Sequence, residues 1–426
     1  MLDLKRIRDE PDVVREGLER RDATDALEAV DRVLGLDERR RALIREVDEL
    51  RAERNEVSPQ VGRLKAEGRE EDASRLIERM RGVSDRIGEL ESELGGVEEE
   101  VEALLLGLPN PPAEEVPVGG EDANRVLRDW GEARTFDFEP RPHWEIGEAL
   151  GILDLARGAK IAGSGFPLYV GAGARLERAL IDFMVDLQVR EHGYTELWSP
   201  LMVNHESARG SGHLPKFRED MYEVPDDELF LVPTAEVPIS NLHRDEILGP
   251  DEMPRRYVAY TPCFRREAGA HGRETRGLIR VHQFDKVELF RFERPEAGDE
   301  ALEEMLGHAE EVLRRLGLRY RVVLLATGDL GFASAKTYDL EVWAPGVGRW
   351  LEVSSCSTDR DFQARRAGVR FRPAPNARPR YAHTLNGSAL ALARTVVALL
   401  ETYQEADGRV RLPDALASCF GAEHLG

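Results

Sequence analysis

Between residues 261 and 290 the chain reads TPCFRREAGAHGRETRGLIRVHQFDKVELF, with more charged side chains than a buried core would choose. Arg265 and Glu267 stand at i and i+2, so a strand running through them presents both on one face. After a Gly-rich loop, a returning strand places Arg280, His282, Phe284, Lys286 and Glu288 at even spacing. Guanidinium groups beside the flat ring of Phe284 suit a nucleotide, with charge for phosphate and ring for base. A solvated polar hairpin with paired charges would use the same residues, and any single pair fits that plainer account. No Walker P-loop occurs, and no G-x-G-x-x-G follows a strand and opens a helix, so ATP, if bound, must be held in some other way.

The elements that must position these residues fall in the second part of the chain. Apolar runs such as RYRVVLL (319–325), KTYDLEVW (336–343) and RWLEVSS (349–355) are rich in strand formers. Amphipathic stretches at 174–193 and 300–317 read as helices. Strands and helices do not strictly alternate, which favours an α+β class with a mostly antiparallel sheet over a doubly wound fold.

Residues from about 27 to 106 follow a different rule. Val33, Leu36, Arg40, Leu43, Val47, Leu50, Arg54, Val57, Val61 and Leu64 alternate spacings of three and four, a heptad seam. A second seam runs through Leu76, Met80, Val83, Ile87, Leu90, Leu94, Val97, Val101 and Leu104. Gly68 lies in the short turn between them, so the pair predicts an antiparallel helical hairpin reaching about 45 Å. Pro59 is expected to kink the first helix, and Gly82, Gly88, Gly95 and Gly96 weaken the second. The stretch LPNPPAEEVPVGG (108–120) ends the helical pattern. The domains are accordingly 1–108, a linker at 109–120, and 121–426.

Hydrophobic residues make up 41% and charged residues 33%, the balance of a soluble globular chain. No run of 18 apolar residues occurs, which argues against a membrane span, and the charged N-terminus argues against a signal peptide. Cys263, Cys356 and Cys419 form no CxxC pair, which fits a reducing, cytoplasmic compartment. A formal charge of −22 argues only mildly against nucleic-acid binding, because charges can segregate onto separate faces.

Segment 261–290, with FRREAG and RGLIRVHQFDKVE, resembles motif 2 of class II aminoacyl-tRNA synthetases as seryl-tRNA synthetases write it. SGFPLYVGAGARLERALIDFM followed by HGYTELWSP resembles motif 1, and HTLNGSALALARTVVALLE resembles motif 3. GSGHLPKFREDMY, VPTAEVP, KTYDLEVW, EVSSCS and FQARR are similar to further signatures of that family, in the same order. The motif 3 stretch departs in carrying Ala389 and Ala393 where glycine often stands.

The resemblance implies ATP-dependent activation of L-serine and its transfer to tRNA(Ser), with tRNA(Sec) also expected. It implies Mg²⁺, a homodimer, and an arm that grips the tRNA. The implied ATP-binding residues are Arg265, Arg266, Glu267, Arg280, Val281, Phe284, Glu352, Val353, Ser354, Ser355 and Arg394. Arg265 should meet the α-phosphate, Glu267 the adenine edge, and Phe284 with Arg394 the two adenine faces. Glu352 and Ser355 should hold the Mg²⁺. The implied serine-binding residues are Thr234, Ala235, Glu236, Arg265, Glu288, Asn386 and Ser388. Glu236 should face the ammonium and Glu288 the hydroxyl. Arg265, Glu352, Ser355 and Arg394 carry catalysis by charge neutralisation and alignment, and no histidine is needed. On the arm, Arg39, Arg41, Arg51, Arg63, Lys65, Arg69, Arg75 and Arg79 are the tRNA-backbone candidates. The alternative is a paralogue that serves as an inhibitor-resistant second copy or loads serine onto a carrier other than tRNA. A carrier-loading relative is expected to lack the arm.

Overall fold

The computed structural model describes residues 1–268 and 276–426, which divide into two compact units, Leu2–Pro109 and Asn110–Gly426 together with Met1. Most of the Gly-rich loop expected within 261–290 lies outside the described residues.

Two helices dominate the first unit, α1 (Thr24–Ala66) and α2 (Glu70–Gly107). At 43 and 38 residues they are longer than the seams implied, because α1 starts nine residues ahead of its first seam position. Gly68 turns the chain between them with φ +73°, a conformation that favours glycine. α1 runs unbroken through Pro59, so the loss of one donor does not end it. Midway along the arm the seam residues are shielded: Leu43, Val47, Ile87 and Leu90 form a core, with Leu50, Val83, Leu94 and Val97 packed against it, whereas Asp37, Ala73 and Leu105 are buried off the seam. Charges report the antiparallel register, since Arg32 meets Glu100, Arg39 meets Glu93, Arg86 meets Glu46 and Arg79 meets Glu53. Replacing the fully buried Leu90 with alanine should destabilise the hairpin by about 2 kcal/mol or more. The urea midpoint of the helical dichroism would then fall, and an unmoved midpoint would show that the seam is not what holds the helices.

The same charges change the list of arm cations. Arg39, Arg51 and Arg79 are engaged across the hairpin, Arg41 sits on the buried Asp37, and Arg69 pairs with Asp72. Arg75 reaches Glu71 at 4.0 Å. Among the described residues no ion pair involves Arg63 or Lys65, which stand in the last turn of α1.

The second unit is built on one eight-stranded sheet. Its strands are β1 (Arg125–Trp130), β2 (Thr195–Leu197), β3 (Arg255–Phe264), β4 (Gln283–Glu293), β5 (Tyr320–Leu324), β6 (Lys336–Ala344), β7 (Arg349–Arg360) and β8 (His383–Ala391). They lie in the order β1-β5-β6-β7-β8-β4-β3-β2. Every neighbouring pair is antiparallel except β2 with β3, as the α+β expectation required. Helices α3 (Ala172–Arg190), α4 (Gly298–Arg315) and α5 (Leu392–Tyr403) share one large core with the sheet. Period-two alternation sorts β4: Val287 and Leu289 enter that core, whereas Phe290 and Phe292 join a second cluster with Ala364 and Ala367. The Pro/Gly-rich stretch after the arm lies on this unit, with Asn110 and Ala113 bonded to the backbone of Phe332 and Ala335. No helix among the described residues is long and apolar enough to cross a membrane.

Two local expectations are corrected. β3 stops at Phe264, so Arg265 and Glu267 do not share a strand face, and Glu267 takes φ +51°. β4 starts at Gln283, so Arg280 and His282 precede it, and only Phe284, Lys286 and Glu288 keep the even spacing of a strand.

Candidate active site

A cavity of about 320 Å³ opens where β4, β7 and β8 lie side by side. The alternation that sends Val287 and Leu289 into the core turns Phe284, Lys286 and Glu288 toward the cavity. β7 contributes Glu352, Val353 and Ser355, and β8 contributes Asn386 and Ser388. Arg265 and Glu267 enter after β3, Arg280 and Val281 before β4, and Arg394 from the first turn of α5. Thr234 and Glu236 complete the wall. Arg266, Ala235 and Ser354 do not line the cavity. Arg266 lies over the Tyr222 ring, Ala235 is packed in the second apolar cluster, and the Ser354 hydroxyl donates to the Ser388 carbonyl at 2.6 Å.

The charges are matched inside. Arg394 donates from Nη1 to the Glu352 carbonyl at 2.8 Å and to its carboxylate at 3.0 Å, while its Nε donates to the Ile279 carbonyl at 3.0 Å. The Arg265 guanidinium lies 5.2 Å above the Phe284 ring, so in this arrangement that ring is covered by Arg265. Glu267 pairs with Arg280. Glu288 is buried, with Lys286 Nζ at 2.5 Å and the Ser388 hydroxyl at 3.3 Å, both on Oε2. Gln363 donates to Glu236 at 2.6 Å.

Burial decides the protonation of several of these groups. Burial raises Glu236 to about 8, with Asp359 and Glu288 adding to it. Desolvation inside the cavity pulls Glu352 upward, but Arg394 more than offsets this and holds the group below the usual carboxylate range. His213 lines the cavity and is driven down to about 3 by burial, helped by Arg265 and Lys286, so its ring is neutral. His213 and Lys286 are the two polar lining residues that motif resemblance did not assign. The even spacing of Lys286 with Phe284 and Glu288 was the signal for one, and nothing local marks the other.

A chain-wide comparison decides the family. The serine–tRNA ligase of Gemmatimonas aurantiaca is 54% identical over 422 residues, covering 99% of each chain. The chain belongs to the seryl-tRNA synthetase family. A seryl-tRNA synthetase N-terminal domain model matches residues 1–112, and a class II tRNA synthetase core domain model (G, H, P, S and T) matches 220–403. Among solved structures, seryl-tRNA synthetase from Pyrococcus horikoshii complexed with ATP is 40% identical with a TM-score of 0.94, covering 100% of this chain and 99% of that one. The cytoplasmic serine–tRNA ligase of Naegleria fowleri in complex with AMP is 30% identical with a TM-score of 0.88, covering 100% and 98%. Of the two departures of this synthetase in motif 3, Ala393 lines the cavity whereas Ala389 is fully buried in the core, so only Ala393 borders the site.

Proposed function

We propose that this synthetase activates L-serine with ATP to seryl-adenylate and transfers the serine to tRNA(Ser), and to tRNA(Sec) where that tRNA occurs. The observation that carries the reading is one cavity combining Arg265, Arg394 and the Phe284 ring with the half-buried Glu236 and the buried Glu288. Arginines and a ring suit a nucleotide; two acidic groups suit an ammonium and a hydroxyl. Residues 1–108 act as the tRNA-binding domain, 109–120 as the linker and 121–426 as the catalytic domain, in a cytoplasmic homodimer. Trp198, 85% exposed just after β2, is the apolar surface that a second copy would cover.

Arg265 and Arg394 neutralise charge developing on the α-phosphate as the serine carboxylate attacks it in line. Adenine takes the Phe284 face in place of the Arg265 guanidinium, with Glu267, Arg280 and Val281 around it. Glu236 receives the ammonium beside Thr234, and Glu288, with Ser388 and Asn386 nearby, accepts the hydroxyl. Glu352 and Ser355 are oxygen donors of the kind Mg²⁺ takes and would hold it together with phosphate oxygens; beside Ser355 the buried Asp339 Oδ1 has no hydrogen-bond partner. When bound, that ion supplies further neutralisation of phosphate charge. Of the arm candidates named from the resemblance, Arg63 and Lys65, near the arm's turn, are the cations left to grip a nucleic-acid backbone, because no ion pair engages them among the described residues. The presence of the arm disfavours the carrier-loading alternative.

Incubating the purified protein with labelled serine, ATP, Mg²⁺ and total tRNA should give charged tRNA, with alanine, threonine and glycine as controls. Absence of serine-dependent charging would refute the proposal. Glu236 makes the reaction pH-dependent with a definite sign. Its pKa of about 8 leaves it protonated at neutral pH, and binding an ammonium requires the carboxylate. Serine must therefore expel a proton below that pKa, so KM for serine should fall by up to about tenfold per unit as pH rises from about 6 to 8. The slope should vanish in Glu236→Gln; a flat profile in the unaltered enzyme would show that this group does not receive the ammonium.

A further inference from the structure

Leu278, Ile279, Arg280 and Val281 line the cavity from a stretch that belongs to neither a helix nor a strand. Such backbone keeps a defined position only where other groups tie it down. α5 ties it at two places. At its first turn Arg394 Nε donates to the Ile279 carbonyl at 3.0 Å. At its last turn Glu401 acts through His143, a residue far away in sequence. Glu401 Oε1 accepts from the His143 backbone N–H at 2.9 Å and from ring Nδ1 at 2.8 Å. Its Oε2 accepts from the Gly346 and Val347 N–H groups at 2.9 and 3.0 Å. The other ring nitrogen, Nε2, accepts the Leu278 N–H at 3.0 Å.

These contacts specify the ring. Because the Leu278 N–H donates to Nε2, that nitrogen carries no proton, and the single ring proton sits on Nδ1, where the carboxylate receives it. Both side chains have no exposed surface, and neither lines the cavity. The backbone is shaped to the ring as well: Gly277 has φ +72°, and a methyl there would stand 2.1 Å from Nε2.

We propose that His143 is a positioning residue for the nucleotide half of the site. Glu401 fixes its tautomer and orientation, the ring fixes the Leu278 N–H, and the following residues through Val281 are thereby set for ATP. The inference rests on the reading of this cavity as the ATP site and extends it to two residues that touch no substrate.

Two variants separate the two ring bonds. His143→Asn keeps a donor near the place of Nδ1 for Glu401 but is too short to accept from Leu278. His143→Gln places an oxygen near Nε2 for Leu278 and gives up the Glu401 bond. Serine-dependent ATP–pyrophosphate exchange is measured for each, with KM for ATP, KM for serine and kcat taken separately and Tm alongside. The expected result for His143→Asn is a KM for ATP raised about tenfold with KM for serine within about twofold. His143→Gln should lie nearer the unaltered enzyme in KM for ATP, even where its Tm is lower. Equal KM values for ATP in both variants, or parallel rises for ATP and serine that follow Tm, would mean a purely structural role and overturn the proposal. If neither variant folds, hydrogen exchange on the unaltered protein decides: slow exchange at Leu278 supports the clamp, and fast exchange rejects it. An unaltered enzyme with no serine-dependent exchange would instead sink the reading of the cavity itself, an outcome distinct from the others.

Discussion

Glu288→Gln should lower serine-dependent ATP–pyrophosphate exchange by about 10–10²-fold and collapse the preference for serine over alanine. Glu288 is buried, and both of its bonds, from Lys286 and Ser388, fall on Oε2. Oε1 is therefore the oxygen left to accept a substrate hydroxyl. A hydrogen bond to a buried charged group is worth roughly 1.5–3 kcal/mol, and an analogue lacking the hydroxyl leaves that group unpaired. This is why alanine should be rejected strongly by the unaltered site, whereas threonine must be excluded by size. Glutamine is a better replacement than alanine. Truncation would strand the buried Lys286 charge, which costs roughly 3–5 kcal/mol and would confuse lost folding with lost recognition. Tm should be recorded with the kinetics. Near-normal exchange, or an unchanged serine-to-alanine ratio, would show that Glu288 does not read the hydroxyl.

Deleting residues 30–104 and bridging the gap with a short Gly/Ser turn should leave adenylate formation within about threefold while reducing tRNA charging by about 100-fold or more. The cut is geometrically mild, because Arg32 meets Glu100 and the two ends therefore lie side by side. What is removed has its own core in Leu43, Val47, Ile87 and Leu90. Charging by the full-length enzyme should also weaken steeply with salt, as contact with a phosphate backbone requires. The exchange reaction should be far less sensitive. Loss of both activities together would make the arm a structural support rather than a tRNA grip.

Much of this molecule is written locally. The heptad seams could be read because helical periodicity repeats within seven residues, and the core midway along α1 and α2 is built from seam positions. Phe284, Lys286 and Glu288 could be grouped because a strand alternates every two residues. The types of residue in the cavity followed from recognisable blocks, since phosphate, ring and ammonium each need particular side chains. What local pattern could not supply is where strands stop and which way a flanking residue turns. Arg265 and Glu267 look paired by spacing, yet β3 ends before both of them. Arg266, Ala235 and Ser354 sit within the right blocks but point into a neighbouring ring, an apolar cluster and a backbone carbonyl.

Pattern and periodicity by themselves determined the helical arm and the α+β class, while the resemblance of motifs supplied the chemical character of the site. Tertiary structure alone decided that His143 and Glu401, 258 residues apart, share a hydrogen bond. It also decided that a neutral His213 joins Lys286 in one cavity. The reason is physical: a hydrogen bond depends on distance in space and a pKa on burial, and neither is set until the sheet has brought remote segments together.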